Sequence, residues 1–194
     1  AARGQFSVFS SGVRQLTYTV YAVEPGQWPD YQRFIRSQPR RDLEPKLNWQ
    51  RVKQEKIRIA GDSGELTETR IHLTSENTGK HGHFILKITH PGEKFPVYAW
   101  IQVTEIGINL AGDGDQLLAW ATELDTGKPL SNVTTDWSQG QQTAVTDEHG
   151  LARLKFTSKH RPEYMYAVAS RGADSALINV SRYDSNWRQH DKSP

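Results

Sequence analysis

The chain of 194 residues contains no cysteine. That excludes a disulfide framework, a thiolate metal site, a cysteine nucleophile and an internal thioester within these residues. No run of about 18 apolar residues occurs, so no segment reads as a membrane-spanning helix. An excess of one charge is lacking as well, since 24 basic residues stand against 22 acidic ones. Neither nucleic acid nor an anionic lipid surface is therefore favoured as a partner. The chain opens Ala1-Ala2-Arg3, without an initiator methionine or a signal-peptide pattern, and is read as a processed chain or a fragment of something longer. A mean hydropathy of −0.70 suits small domains with much exposed sheet and loop.

What is present is β-pattern. Aromatic residues make up 10% of the chain and include six tryptophans, ample for packed β-cores. Phe6 and Val8, then Leu16, Tyr18 and Val20, alternate with polar residues around the turn Ser10-Ser11-Gly12, and Thr17, Thr19 and Tyr21 face the other way. Between Gln27 and Ser37 the period changes. Trp28, Tyr31, Phe34 and Ile35 fall at spacings of three and four, which predicts a short helix over 28–37, with Pro29 in its first turn and Asp30 at its positive end. Strand patterns follow at Trp49 to Ile59, Leu66 to Leu73, Phe84 to Ile88 and Val97 to Thr104.

At Glu105-Ile106-Gly107 one β-pattern ends and another begins with almost no linker. The expected division is 1–105 and 106–194, and a junction so short is expected to fix the angle between the two domains. In the second part, strands near Ile108, 117–122, 133–137, 143–146, 151–156, 164–169 and 176–180 recur with turns about every ten residues, the spacing of a β-sandwich. No βαβ alternation is seen. The fold class read from the sequence is all-β: two tandem antiparallel β-sandwiches, the first with a short helix insertion.

Several constellations carry a chemical reading and a plainer one. Asp113-Gly114-Asp115 has the start of a calcium loop, but the pattern does not continue and Leu124 stands where a bidentate glutamate belongs. A turn is preferred. His81-Gly82-His83, with His72 and His90 near in sequence, is read as a hairpin loop rather than a zinc site. The basic stretch from Arg36 through Arg40, Arg41, Lys46, Arg51, Lys53 and Lys56 surrounds Trp49, yet Asp42, Glu44 and Glu55 interleave. A solvated edge strand guarded by charge explains it better than nucleic-acid binding. Asp147-Glu148-His149 offers an acid and an imidazole, but Asp147 followed by Gly150 is what a hairpin turn requires, and no G-x-S-x-G elbow occurs. The sequons at Asn132 and Asn179 fall at or inside strand patterns and carry no weight. Trp28 is expected to cap the first sandwich, and Trp100, Trp120 and Trp137 read as core or domain-interface residues. A sugar-binding platform would instead need two or three of Trp49, Trp137, Tyr164 and Tyr166 exposed on one flat face.

Three pieces taken together resemble a known family: Trp100-Ile101-Gln102-Val103-Thr104 at the junction, Asp125-Thr126-Gly127-Lys128-Pro129, and Thr146-Asp147-Glu148-His149-Gly150-Leu151. With YTVYAVEPGQWPDYQRFI in the first half, they are similar to consecutive macroglobulin domains of bacterial alpha-2-macroglobulins. The resemblance implies scaffold domains of a large protease trap, periplasmic or extracellular, whose parent is anchored as a lipoprotein. It implies target proteases as partners through the full-length protein, and neighbouring macroglobulin domains as partners of these two. No catalytic residue, cofactor, metal, nucleic acid or direct membrane insertion is expected. The residues assigned structural or interdomain roles are Trp100, Ile106, Gly107, Ile108, Gly127, Pro129, Asp147 and Gly150. The alternative is an Ig-like adhesion or carbohydrate-binding module of a bacterial surface protein.

Overall fold

The computed structural model describes residues 4–37, 48–59, 64–73, 81–92, 95–113, 116–137, 142–155 and 165–180. The chain divides into two compact units, Ala1–Val103 and Thr104–Pro194. The division falls just before the expected border at 105/106, because Thr104 and Glu105 are bonded into the second unit: the Ile106 N–H donates to Thr104 Oγ1 at 3.0 Å and the Glu105 N–H to Asp174 Oδ2 at 2.9 Å.

The first unit contains β1 (Gln5–Ser11), β2 (Gln15–Val23), α1 (Trp28–Ser37), β3 (Gln50–Arg58), β4 (Leu66–His72), β5 (Gly82–Thr89) and β6 (Val97–Val103). Four strands form an antiparallel sheet in the order β3-β2-β5-β6, and β1 pairs separately with β4. Alternation along the strands gives the four-stranded sheet two apolar faces. Leu16, Tyr18 and Val20 of β2 and Phe84 and Leu86 of β5 turn one way, where Ile71, Leu73, Phe6 and Val8 of the β1–β4 side close a core over them. The residues between them, Tyr21 on β2, His83 on β5, and Tyr98 and Trp100 on β6, turn the other way, toward α1.

The helix forms where its sequence period predicts. A 3-10 turn over Pro25–Gln27 leads into it, with the Gln27 N–H bonded to Glu24 O and the Glu24 N–H to Gln27 Oε1, both at 2.9 Å. Asp30 and Arg33 pair on its exposed side, and Trp28, Tyr31 and Phe34 are buried. Trp28 meets Trp100 edge to face at 5.2 Å, and Phe34 meets Tyr98 and Trp49 edge to face at 4.8 and 5.3 Å. Such pairs each add about 0.5–1.5 kcal/mol beyond the area they bury, so the helix is held to the sheet by rings. The insertion thus covers the second face of the four-stranded sheet.

The two edges of that sheet are guarded differently. β3 is an edge strand, as expected for the basic stretch, and most of its residues are exposed. Lys53 and Glu55 pair at 2.9 Å, and Glu55 takes the Tyr18 hydroxyl at 2.5 Å. Charges at such positions discourage further strand pairing. At the β6 edge, Tyr31 of α1 takes a backbone hydrogen bond from Trp100, while burial pushes its hydroxyl above the usual tyrosine range.

The second unit contains β7 (Ile106–Asp113), β8 (Gln116–Glu123), β9 (Thr134–Trp137), β10 (Gln142–Val145), β11 (Leu151–Lys155), β12 (Met165–Arg171) and β13 (Asp174–Val180). They form two antiparallel sheets, β11-β8-β7 and β10-β9-β12-β13. The core between them joins Ile106, Ala121, Leu130, Val133, Ala169 and Ala176, with Leu117, Trp137, Met165 and Ala167 adjoining along the strands. The expected class, all-β with antiparallel sandwiches and one short helix, is what the structure has.

One expectation about aromatic residues is corrected, that Trp120 fills the core, and one holds, that Trp137 is buried. Trp120 is 43% exposed. Strand parity sends Leu117, Ala119 and Ala121 inward and Trp120 out, so small side chains, not the indole, fill this part of the core. Trp137 and Tyr166 are 6% and 4% exposed and cannot form a sugar-stacking platform, and Tyr164 lies outside the described residues.

Candidate functional site

The assigned residues of the second unit gather where loops cross one end of the sandwich. Gly127 and Pro129 belong to the connection that leaves β8. Its start is a tight turn in which the Gly127 N–H bonds Glu123 O at 2.8 Å and the Glu123 N–H bonds Lys128 O at 2.8 Å. Thr126 fastens it, donating to Glu123 Oε2 at 2.6 Å and accepting the Lys128 N–H at 3.2 Å. Gly127 has φ +70°, the left-handed conformation that glycine adopts without a Cβ penalty.

Asp147 and Gly150 form the turn into β11. Asp147 Oδ1 accepts the backbone N–H groups of His149 and Leu151, each at 2.9 Å, and the Gly150 N–H closes the turn on Asp147 O at 3.0 Å. The Leu151 N–H, with a further bond from His149, holds the Asp147 carboxyl below the usual aspartate range. The charged form is therefore the one the fold favours. This contribution is present above about pH 4 and is lost as the pH falls through the lowered value. Asp147→Asn keeps an acceptor oxygen without the titration, so its melting temperature is expected to decline less than that of the wild type between pH 5 and pH 3, followed by thermal denaturation.

The two turns touch. A Cβ placed on Gly150 would lie 2.4 Å from Ala121 O and 3.3 Å from Pro129 Cα, and the Ala121 N–H bonds Gly150 O at 2.8 Å while its carbonyl takes the Leu130 N–H at 2.9 Å. Thr146, buried beside them, donates to Leu130 O at 2.6 Å and accepts the Val133 N–H at 3.0 Å. Ile106 is buried in the core cluster that includes Leu130 and Val133, and Ile108 packs against it. Gly107 lies opposite Thr122, whose Oγ1 would be 2.9 Å from an added Cβ. The sequence reading assigns no role at this site to Thr146, Leu130 or Val133. A threonine closing a strand gives no hint of burial, although Thr146 opens the segment quoted for the resemblance.

Trp100 belongs to the first unit and to another cluster, where its indole N–H donates to His83 Nδ1 at 3.2 Å. One imidazole nitrogen of His83 is thus committed to the aromatic layer. Of the calcium-like Asp113-Gly114-Asp115, the last two residues lie outside the described residues. Asp147 directs Oδ1 to its own turn and His149 is exposed with Glu148 beside its ring at 3.7 Å, which makes the segment a turn and not a relay. What this arrangement does chemically is lock two loops and the first strand of the second unit into one piece.

No family model matches the sequence, and no curated protein matches it. Solved structures do. A chain of native alpha-2-macroglobulin from Escherichia coli spanning domains NIE-MG1 is similar with a TM-score of 0.69 at 10% identity, over 90% of this chain and 87% of that one. A longer native fragment of the same protein, MG0-NIE-MG1, gives 0.68 at 13% identity over 92% of this chain. The trypsin-activated alpha-2-macroglobulin gives 0.59 at 14% identity over 90% of this chain and 12% of its own. The present chain spans 59% of the length of the three-domain fragment. At these identities the likeness is one of fold: the chain folds like consecutive domains of a bacterial alpha-2-macroglobulin.

Proposed function

We propose that the chain is a non-catalytic scaffold segment of a bacterial alpha-2-macroglobulin-like protease inhibitor, the counterpart of an NIE-MG1 pair. The reading rests on one observation: a single similarity runs through both units and accounts for most of both chains. Two unrelated β-sandwiches would match separately, each to its own neighbours. The interlocked turns of the second unit support it further, because they tie its loops into a stiff body, as a load-transmitting part requires.

In this reading a protease cuts an exposed bait elsewhere in the parent, the scaffold rearranges by rigid-body motion, and the attacker is held. The partners are neighbouring macroglobulin domains and, through the full-length protein, target proteases. The parent acts in the periplasm or outside the cell, anchored as a lipoprotein. No helix among the described residues is long and apolar enough to cross a membrane. Ile106, Gly107, Ile108, Gly127, Pro129, Asp147 and Gly150 keep the second unit in shape, and Trp100 keeps the helix of the first in place. The test is to determine the coding sequence on both sides of this chain. The reading expects a macroglobulin array downstream, with a secretion or lipoprotein signal upstream. Continuation into repeated sandwiches with a cell-wall anchor would overturn it in favour of an adhesin.

A further inference from the structure

His83 occupies an unusual position for a titratable side chain. It lies on β5, is 3% exposed, and faces the ring layer under α1. Its ring stands 5.8 Å from that of Trp100, and Trp100 in turn meets Trp28 and Tyr31 of the helix at 5.2 and 5.5 Å. The indole nitrogen of tryptophan is only a donor. In the Trp100–His83 hydrogen bond of 3.2 Å, His83 Nδ1 is therefore the acceptor and carries no proton, and the imidazole is neutral with its proton on Nε2.

We infer that the His83–Trp100 bond is an acid-sensitive latch that seats α1 on the sheet. Adding a proton to Nδ1 sets two N–H groups against each other and places a cation among rings. The folded form takes up that proton by giving up the bond, which frees Trp100 to turn and removes the platform of Trp28 and Tyr31. Ordinary imidazoles charge near about pH 6.5, so the latch is closed above that range and is released as the pH falls below it. Among the described residues, the neighbouring elements carry several titratable and charged groups. Tyr21 of β2, Tyr98 of β6 and Tyr31 of α1 contribute hydroxyls, Lys87 of β5 lies over the Tyr98 ring, and Gln102 of β6 lies directly opposite His83. On the helix, Asp30 and Arg33 pair with each other on the exposed side, and Arg36 and the preceding Glu24 are exposed. His81, just before β5, is the second imidazole near this site and is replaced separately in the test.

The test uses the chain as it stands. Amide hydrogen exchange across α1 is followed from pH 7.5 to pH 5 in the wild type, His83→Gln, His81→Gln and Trp100→Phe, each variant referred to the wild type at the same pH. Glutamine keeps an acceptor for the indole but does not titrate, and phenylalanine keeps a ring but removes the donor. Loss of one such bond corresponds to about tenfold. The wild type and His81→Gln are expected to lose about that much protection of α1 relative to His83→Gln as the pH falls. Trp100→Phe should start less protected and show a smaller acid step than the wild type. Should His83→Gln fold poorly, the Trp100 indole N–H resonance of the wild type gives the same answer, shifting with the His83 ring protons in a single titration. An acid step that persists in His83→Gln, one that disappears in His81→Gln, or an indole resonance unmoved between pH 7.5 and 5 would overturn the inference.

Discussion

Gly150→Ala is expected to lower the stability of the second unit by about 4 kcal/mol. Two effects add. The residue sits at φ +75°, and its missing Cβ leaves room for a backbone carbonyl: an added methyl would stand 2.4 Å from Ala121 O and 3.1 Å from the Leu130 nitrogen. The left-handed conformation alone costs a residue with a Cβ about 1–2 kcal/mol. The clash costs about 1–3 kcal/mol more, because the neighbour is backbone and is held by the Ala121–Gly150 and Leu130–Ala121 hydrogen bonds. Gly127→Ala is the control. Its φ is nearly the same, +70°, but nothing lies within 4 Å of the added Cβ, so only the conformational part, about 1 kcal/mol, is expected. Urea denaturation followed through the second unit's fluorescence gives both values. Equal losses at the two glycines would mean that the packed junction of the two turns does not exist in solution.

Thr146→Val is expected to cost about 3 kcal/mol. Valine matches the shape but leaves Leu130 O without its donor and the Val133 N–H without its acceptor, in a site where Thr146 is buried. Unpaired buried groups cost far more than a satisfied bond contributes. Thr146→Ser retains the hydroxyl and gives up one methyl, for about 1 kcal/mol. A large loss for serine and a small one for valine would reverse the roles assigned to hydroxyl and methyl. Both variants are compared by urea unfolding midpoints at constant slope, so that a change in the denatured state is detected.

These two predictions concern residues of unequal legibility. Gly150 could be found in the sequence, since a glycine three positions after an aspartate at a strand start has a known conformational use. Thr146 could not, because its burial depends on Leu130 and Val133 arriving from another loop. The same distinction runs through the fold. Local periodicity located α1 over 28–37 and the strands of the second unit, because a single face of each element is buried and the pattern is written in consecutive residues. Pairing was not legible. Phe6 lies opposite Ile71 across more than half of the first unit, and nothing in either segment names the other. Trp120 shows the limit of reading by hydrophobicity: parity within β8 is set by Leu117, Ala119 and Ala121, and the largest ring of the strand goes to the outside. The layer of rings under α1 was half legible. Its helical stripe is visible, but in the sequence His83 reads with His81 as a loop, and its place against Trp100 follows from the β5–β6 register, which pairs His83 with Gln102 and Ile85 with Trp100.

The measurement that bears most directly on the scaffold reading uses the full-length parent protein, incubated with trypsin and then assayed against two substrates. The account predicts that trypsin treated with the parent still cleaves a short chromogenic peptide but no longer degrades a large protein, and that the parent changes its hydrodynamic size on cleavage. Trypsin that keeps its activity on both substrates, with the parent merely degraded, would contradict it.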